Sequence, residues 1–108
     1  MPDFFDTELR VGEIVKAETF AEAKKPAYKL WINFGEALGI KTSSAQITSL
    51  YTTKMLIGKL VIAVTNLEPK QVGPFISEVL LLGVNGKNVG DIILIAPDDK
   101  ADIGNRVH

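Results

Sequence analysis

A chain of 108 residues with no cysteine and a net charge of −1 is expected to fold as a single domain, residues 1–108, around a core of its own. It can carry no disulfide, thiolate metal site or thiol nucleophile, and its near neutrality argues against holding nucleic acid by bulk charge. The opening MPDFFDTELR lacks the apolar run of about 7 to 15 residues of a secretory signal, and no stretch reaches the roughly 20 apolar residues of a membrane span, so a cytoplasmic protein without membrane insertion is expected.

The charges are unevenly spread. Residues 1–18 hold Asp3, Asp6, Glu8, Glu13 and Glu18 against Arg10 and Lys16, whereas residues 19–78 hold seven lysines against four glutamates. The basic middle is either a weak phosphate site or an ordinary solvated face. With 46% hydrophobic residues and a positive mean hydropathy, apolar surface is expected to exceed what one small core hides. Phe4, Phe5, Trp31 and Phe75 lie near ends or loops, so self-association as a homodimer is the expected cover.

Residues 9–19 read as the first strand. Leu9 and Val11 alternate with Arg10, but Gly12 breaks the rhythm and Ile14 and Val15 are both apolar, the pattern of a strand that bulges and passes from one sheet to another. Lys24, Lys25 and Pro26 then mark an exposed basic loop. Residues 28–35 are the clearest strand: Leu30, Ile32 and Phe34 share a core face, and Lys29, Trp31 and Asn33 share the other. After Gly35 and Gly39, Ile40, Thr42 and Ser44 alternate with Lys41 and Ser43 in a returning strand. Pairing the two as a hairpin predicts an outer face of Lys29, Trp31, Asn33, Lys41 and Ser43. A tryptophan among lysines and small polar groups suits a stacking or peptide-binding platform; the competing reading buries Trp31 under a terminus or in a dimer interface.

Residues 46–57 hold the one helical stretch, a short one, with Thr48 and Ser49 capping a first turn and Thr52 or Thr53 a second before Gly58 stops it. Residues 59–70, KLVIAVTNLEPK, follow. Leu60, Val61, Ile62, Ala63 and Val64 form an unbroken apolar run, expected as a central strand covered on both faces, and Asn66, Pro69 and Gly73 end it. The loop EPKQVGPF leads to a strand over residues 76–84 that is apolar on both faces beyond its start. Asn85-Gly86 predicts a hairpin turn, residues 92–95 a last strand, and PDDKADIGNRVH a polar tail with a final turn. This order predicts an all-β, five-stranded OB-fold barrel with a short helix between strands 3 and 4.

Catalytic chemistry is missing. The sole histidine, His108, stands at the end of the chain, and Ser43, Ser44 and Ser77 read as hydrogen-bonding groups rather than nucleophiles. Asp98, Asp99 and Asp102 lack the glycine and distal glutamate of a calcium loop, and the scattered glycines form no phosphate cradle. The expectation is a binding module, not an enzyme, with no metal or other cofactor.

Taken together, Leu9-Arg10-Val11-Gly12, Glu18, Lys29-Leu30, Gly35, Tyr51, Gly58-Lys59, Asn66-Leu67, Pro69, Gly73 and Ser77 resemble the tRNA-binding domain of stand-alone tRNA-binding proteins and of some aminoacyl-tRNA synthetases. Within that superfamily, KKPAYKLWINFG, GIKTSSAQIT, Leu50-Tyr51 and SEVLLLG are similar to the CsaA family of export-related chaperones. That resemblance implies an OB-fold homodimer, joined with the help of terminal extensions, that binds unfolded or presecretory polypeptides. As an ATP-independent chaperone, the protein is expected to hold apolar client segments on Trp31, Met55 and Phe75 and to bond client backbone through Lys41, Ser43, Ser44 and Gln46. As a tRNA-binding module, it would contact phosphates through Lys24, Lys25, Lys29 and Lys41 and place Asn66 and Ser77 near a nucleotide. Where tRNA-binding relatives have a glycine and a methionine after Ser77, this chain has Glu78-Val79-Leu80, and the Glu78 charge is expected to weaken RNA binding.

Overall fold

The computed structural model describes residues 6–108; Phe4 and Phe5, read above as surplus apolar surface, lie outside the described residues. Five antiparallel strands form the main sheet: β1 (Leu9–Thr19), β2 (Tyr28–Asn33), β3 (Ile40–Ala45), β4 (Leu60–Val64) and, after a hairpin of β5 (Lys70–Val72) and β6 (Phe75–Ser77), the very short β7 (Leu80–Leu81). In space they run β3-β2-β1-β4-β7, and the helix α1 (Thr53–Leu56) stands between β3 and β4. This is the nearly closed barrel of the OB-fold.

The long first strand makes the curvature possible. Residues 9–13 of β1 pair with β4, and residues 13–19 pair with β2, with a bulge between Ile14 and Lys16. The bulge falls at Val15, in the stretch where the doubled apolar pair interrupts the alternation. Gly12 is needed for close approach, because a Cβ there would lie 2.5 Å from Ile32 Cγ2 and 2.7 Å from Phe34 Cε1. Ile14, Leu30, Ile32, Phe34, Leu56, Val61 and Ala63 fill the barrel, each at 1% exposure or less, and burying aliphatic or aromatic side chains of this kind stabilises by about 1.5–3 kcal/mol each. The central strand β4 is covered as predicted, with residues 61–64 all buried. In the helical stretch, Thr52 is the N-cap of α1, its Oγ1 accepting from the Met55 N–H at 3.2 Å.

Several expectations are corrected. EPKQVGPF is not a plain loop: Lys70, Gln71 and Val72 pair with Ser77, Ile76 and Phe75 across a turn in which Gly73 takes a φ of 57°, as a Gly-first two-residue hairpin requires. Nor is there one buried strand over residues 76–84. The run breaks into β6, β7 and β8 (Gly83–Asn85), and Ile76, Leu80 and Val84 are about half exposed, at 50, 52 and 50%. The last hairpin does form, β8 with β9 (Ile92–Leu94), but Asn85 pairs with Ile92, so residues 86–91 make the loop instead of a two-residue turn. Ser49 Oγ and Asn88 Nδ2 donate to the Asp91 carboxylate and fix that loop.

The polar tail also has a structural part. Where β1 has left β2, residues 104–107 line its free edge: Gly104 N–H donates to the Val11 carbonyl (2.7 Å), Val11 N–H to the Asn105 carbonyl (3.0 Å) and Val107 N–H to the Leu9 carbonyl (2.8 Å). The Arg10 guanidinium reaches the Gly104 carbonyl at 2.7 Å and pairs with Glu8.

Candidate binding face and cleft

The register of the β2–β3 hairpin decides which side chains share the outer face. Lys29 stands opposite Ser44 and Trp31 opposite Thr42, whereas Leu30 faces Ser43 and Ile32 faces Lys41. Directly opposed residues lie on the same face of a sheet, and a shift of one residue exchanges the two faces. The expected outer face is therefore corrected on its β3 side: Ser43 and Lys41 belong with the core-facing residues, and Ser44 and Thr42 take their place. Ser43 is 1% exposed and cannot reach a client from the surface; Lys41 is half-buried beside Ile32.

An aromatic row assembles from three segments, with Trp31 and Phe75 half-buried on the outer face and Phe20 buried, at 3% exposure, at its end. Phe75, on β6, meets Trp31 edge-on at 5.8 Å and Phe20, just beyond β1, edge-on at 5.6 Å. Such edge-to-face pairs are favourable beyond their area. Lysines lie over the rings, with Lys16 Nζ 4.6 Å from the Trp31 centroid and Lys29 Nζ 5.5 Å from Phe20 and 5.9 Å from Phe75. Glu18 holds both lysines, at 3.3 Å from Lys16 and 3.9 Å from Lys29. These ion pairs are exposed enough to be worth little as stability; they orient the ammonium groups over the rings. Trp31 itself is half-buried, covered on one side by Phe75 and not by the described C-terminal tail, which lies along β1.

The β5–β6 hairpin is pinned to β3 mainly through side chains. Glu78 accepts from the Thr42 N–H (3.1 Å) and the Thr42 hydroxyl (2.9 Å), while its own N–H donates to the Thr42 carbonyl at 2.8 Å. The single hydrogen of the Thr42 hydroxyl is shared between Glu78 and the Ile76 carbonyl, 2.7 Å away, and the Ser44 N–H donates to Ser77 Oγ at 3.0 Å. The carboxylate expected to act as a repulsive surface charge is thus also the clip of this seam.

Next to the row opens a cleft of about 570 Å³. Lys24 and Lys25 reach it from the β1–β2 loop, Ser44 and Gln46 from the end of β3, and Lys70 and Gln71 from β5. Glu22 is the one carboxylate among its lining residues. The loop is braced by Phe20 N–H donating to the Ala27 carbonyl at 3.0 Å. Row and cleft are contiguous, because Ser44 pairs across from Lys29 and a Cβ on Gly73, in the cleft wall, would stand 3.9 Å from the Phe20 ring.

The structure thus gathers Trp31, Phe75 and Lys29 in the row and Lys24, Lys25, Ser44 and Gln46 in the cleft, with Ser77 at the seam between them. It keeps three other residues apart. Met55, 58% exposed, is on α1 and lines neither feature. Asn66 spends its amide on the chain start, accepting from Glu8 N–H at 3.0 Å and donating to the Asp6 carbonyl at 2.7 Å. Lys41 points with the other face of β3. No local pattern in the sequence assigns Phe20, Lys16 or Lys70 to this site; each is brought in by a cross-strand or cross-loop contact. Among the described residues no group of His, Asp or Glu converges as a metal site, and no helix is long and apolar enough to cross a membrane.

Residues 9–106, nearly all of the chain, match the profile of the family described as "Putative tRNA binding domain". The chain belongs to that family. It is 39% identical over 106 residues to a methionine–tRNA ligase of Sorangium cellulosum and 32% identical over 105 residues to that of Bdellovibrio bacteriovorus, covering 98% and 97% of this chain. It spans about 15% of the length of either ligase. Among solved structures, the chaperone CsaA of Bacillus anthracis is 44% identical with a TM-score of 0.88, covering 100% of this chain and 99% of that one. The CsaA chaperone protein of Picrophilus torridus is also 44% identical with a TM-score of 0.88, covering 100% of both chains.

Proposed function

We propose that the protein is an ATP-independent chaperone that holds unfolded or presecretory polypeptides on the aromatic row and the adjoining cleft and so supports protein export. The observation that carries this reading is the aromatic row, in which the half-buried Trp31 and Phe75 stand on an outer face beside an open polar cleft, with Phe75 backed by the buried Phe20. Rigid aromatic rings offer contact area at small entropic cost, and neighbouring amides and hydroxyls can bond a client main chain. Full-length likeness to two CsaA chaperones supports the same reading. The module is non-catalytic in this account, and its place of work is the cytoplasm. It works as a homodimer, for which the exposed apolar side chains Leu80, Val84, Ile93 and Ile95 offer a surface. The test is a fluorescence titration of Trp31 with a reduced, unfolded polypeptide at low and moderate salt. A spectral shift that survives salt is expected, and no shift at either salt would remove the row as the binding site.

A second reading, a tRNA-binding module, is favoured by family membership and by Lys24, Lys25 and Lys70 around one cleft. Its signature is a log-affinity slope of about −0.7 per phosphate neutralised on single-stranded RNA. A steep salt dependence for tRNA, with no response to polypeptide, would put this reading first.

A further inference from the structure

The outer edge of β3 is only partly closed. Successive residues of a strand direct their backbone groups to alternate sides, and on β3 those facing away from β2 belong to Thr42, Ser44 and, one step on, Gln46. Thr42 is occupied by Glu78, and the Ser44 N–H by Ser77 Oγ. Past that point the edge runs into the cleft of about 570 Å³. Among the described residues, the Ser44 carbonyl and both backbone groups of Gln46 have no backbone partner, and the Ser44 carbonyl meets only the Ser43 hydroxyl, at 3.5 Å. Unpaired edge groups of this kind are a template for another strand. The wall around them carries Lys24, Lys25 and Lys70 against Glu22, a positive lining in a chain whose net charge is −1.

We propose that the client enters this cleft as an added strand, an extended acidic polypeptide segment. Its N–H donates to the Ser44 carbonyl, its C=O accepts from the Gln46 N–H, and its acidic side chains meet Lys24, Lys25 and Lys70. The proposal rests on the polypeptide-binding reading above and supplies its mode and its class of client. Main-chain pairing gives affinity without a fixed sequence, and side chains on one face of the added strand continue the face of Ser44 and Lys29 toward the aromatic row. Charge complementarity with the lysines then favours segments in which acidic residues alternate with apolar ones.

The probe is an acetylated, amidated heptapeptide alternating phenylalanine or valine with aspartate, its affinity measured by calorimetry. Moving a single N-methyl group along it is expected to weaken binding about five- to tenfold only at the one or two positions, two residues apart, whose amides face the Ser44 and Gln46 carbonyls, and to leave the other positions unchanged. Equal affinity at every position would overturn strand addition while leaving polypeptide binding in place. Replacing the aspartates by lysine is expected to weaken binding, and Lys25→Glu, which leaves the charged lining of the cleft balanced, to abolish that preference; a lysine peptide that binds the native protein as tightly as the aspartate peptide would overturn the acidic assignment. Failure of every peptide to bind, with tRNA still bound, would overturn the underlying reading as well.

Discussion

Two edges of the same barrel are closed by different means. Along the first half of β1 the C-terminal residues 104–107 supply a backbone ladder that engages the Leu9 carbonyl and both backbone groups of Val11, so that edge is spent on structure. Along β3 the hairpin β5–β6 is attached chiefly by the side chains of Thr42, Ser77 and Glu78, and the edge is then left open at the cleft. Closure by backbone makes that part of the barrel indifferent to side-chain chemistry. Closure by side chains leaves amides, aromatic rings and lysines available at the neighbouring surface.

The largest expected effect lies on the β1 side. Gly104 has a φ of 91°, and a Cβ there would stand 2.5 Å from the Phe34 carbonyl oxygen. Gly104→Val therefore combines backbone strain with a clash against backbone and should cost about 3 kcal/mol or more in chemical denaturation. On the β3 side, Glu78→Ala leaves the Thr42 N–H without its acceptor and should cost about 1–3 kcal/mol, together with a shift in Trp31 emission as Phe75 loosens. Glu78→Gln keeps an acceptor oxygen and should cost clearly less; equal losses would mean that charge and not hydrogen bonding holds the seam. Phe75→Ala should weaken client binding by more than about 1 kcal/mol with the fold intact by circular dichroism. The smallest effect is expected at Ser43→Ala, less than about 0.5 kcal/mol on client affinity, because that hydroxyl is in the core and not on the surface.

How much of this was legible in the sequence follows from the range of the interactions involved. The bend of β1 at Gly12 and Val15, the covered strand β4 and the cap at Thr52 are local, and alternation or its interruption reveals them. The outer face of the β2–β3 hairpin is not local. Both strands alternate cleanly, but Trp31 faces Thr42 and not Ser43 or Lys41, a one-residue choice of register that neither strand specifies alone. The place of Lys70 on a strand is not legible because Lys70–Val72 and Phe75–Ser77 are short enough to read as loop. Glu78 was recognised as a departure from the tRNA-binding pattern, yet its role depends on Thr42, 36 positions away. Trp31, Phe75, Lys24 and Lys25 stand out in the sequence by residue type and by their nearness to turns, whereas Phe20 and Lys16 join them only through contacts across the sheet.

The most direct test of this contrast is a ¹H–¹⁵N correlation titration of the full chain with the alternating heptapeptide. The predicted result is a continuous set of shifted amides at Ser44, Gln46, Lys70, Gln71 and Gly73, joined by the Trp31 indole N–H, with Val11, Asn105 and Val107 unmoved. Shifts confined to the β8–β9 hairpin or to the β1–tail ladder, with Trp31 and Ser44 silent, would contradict the account.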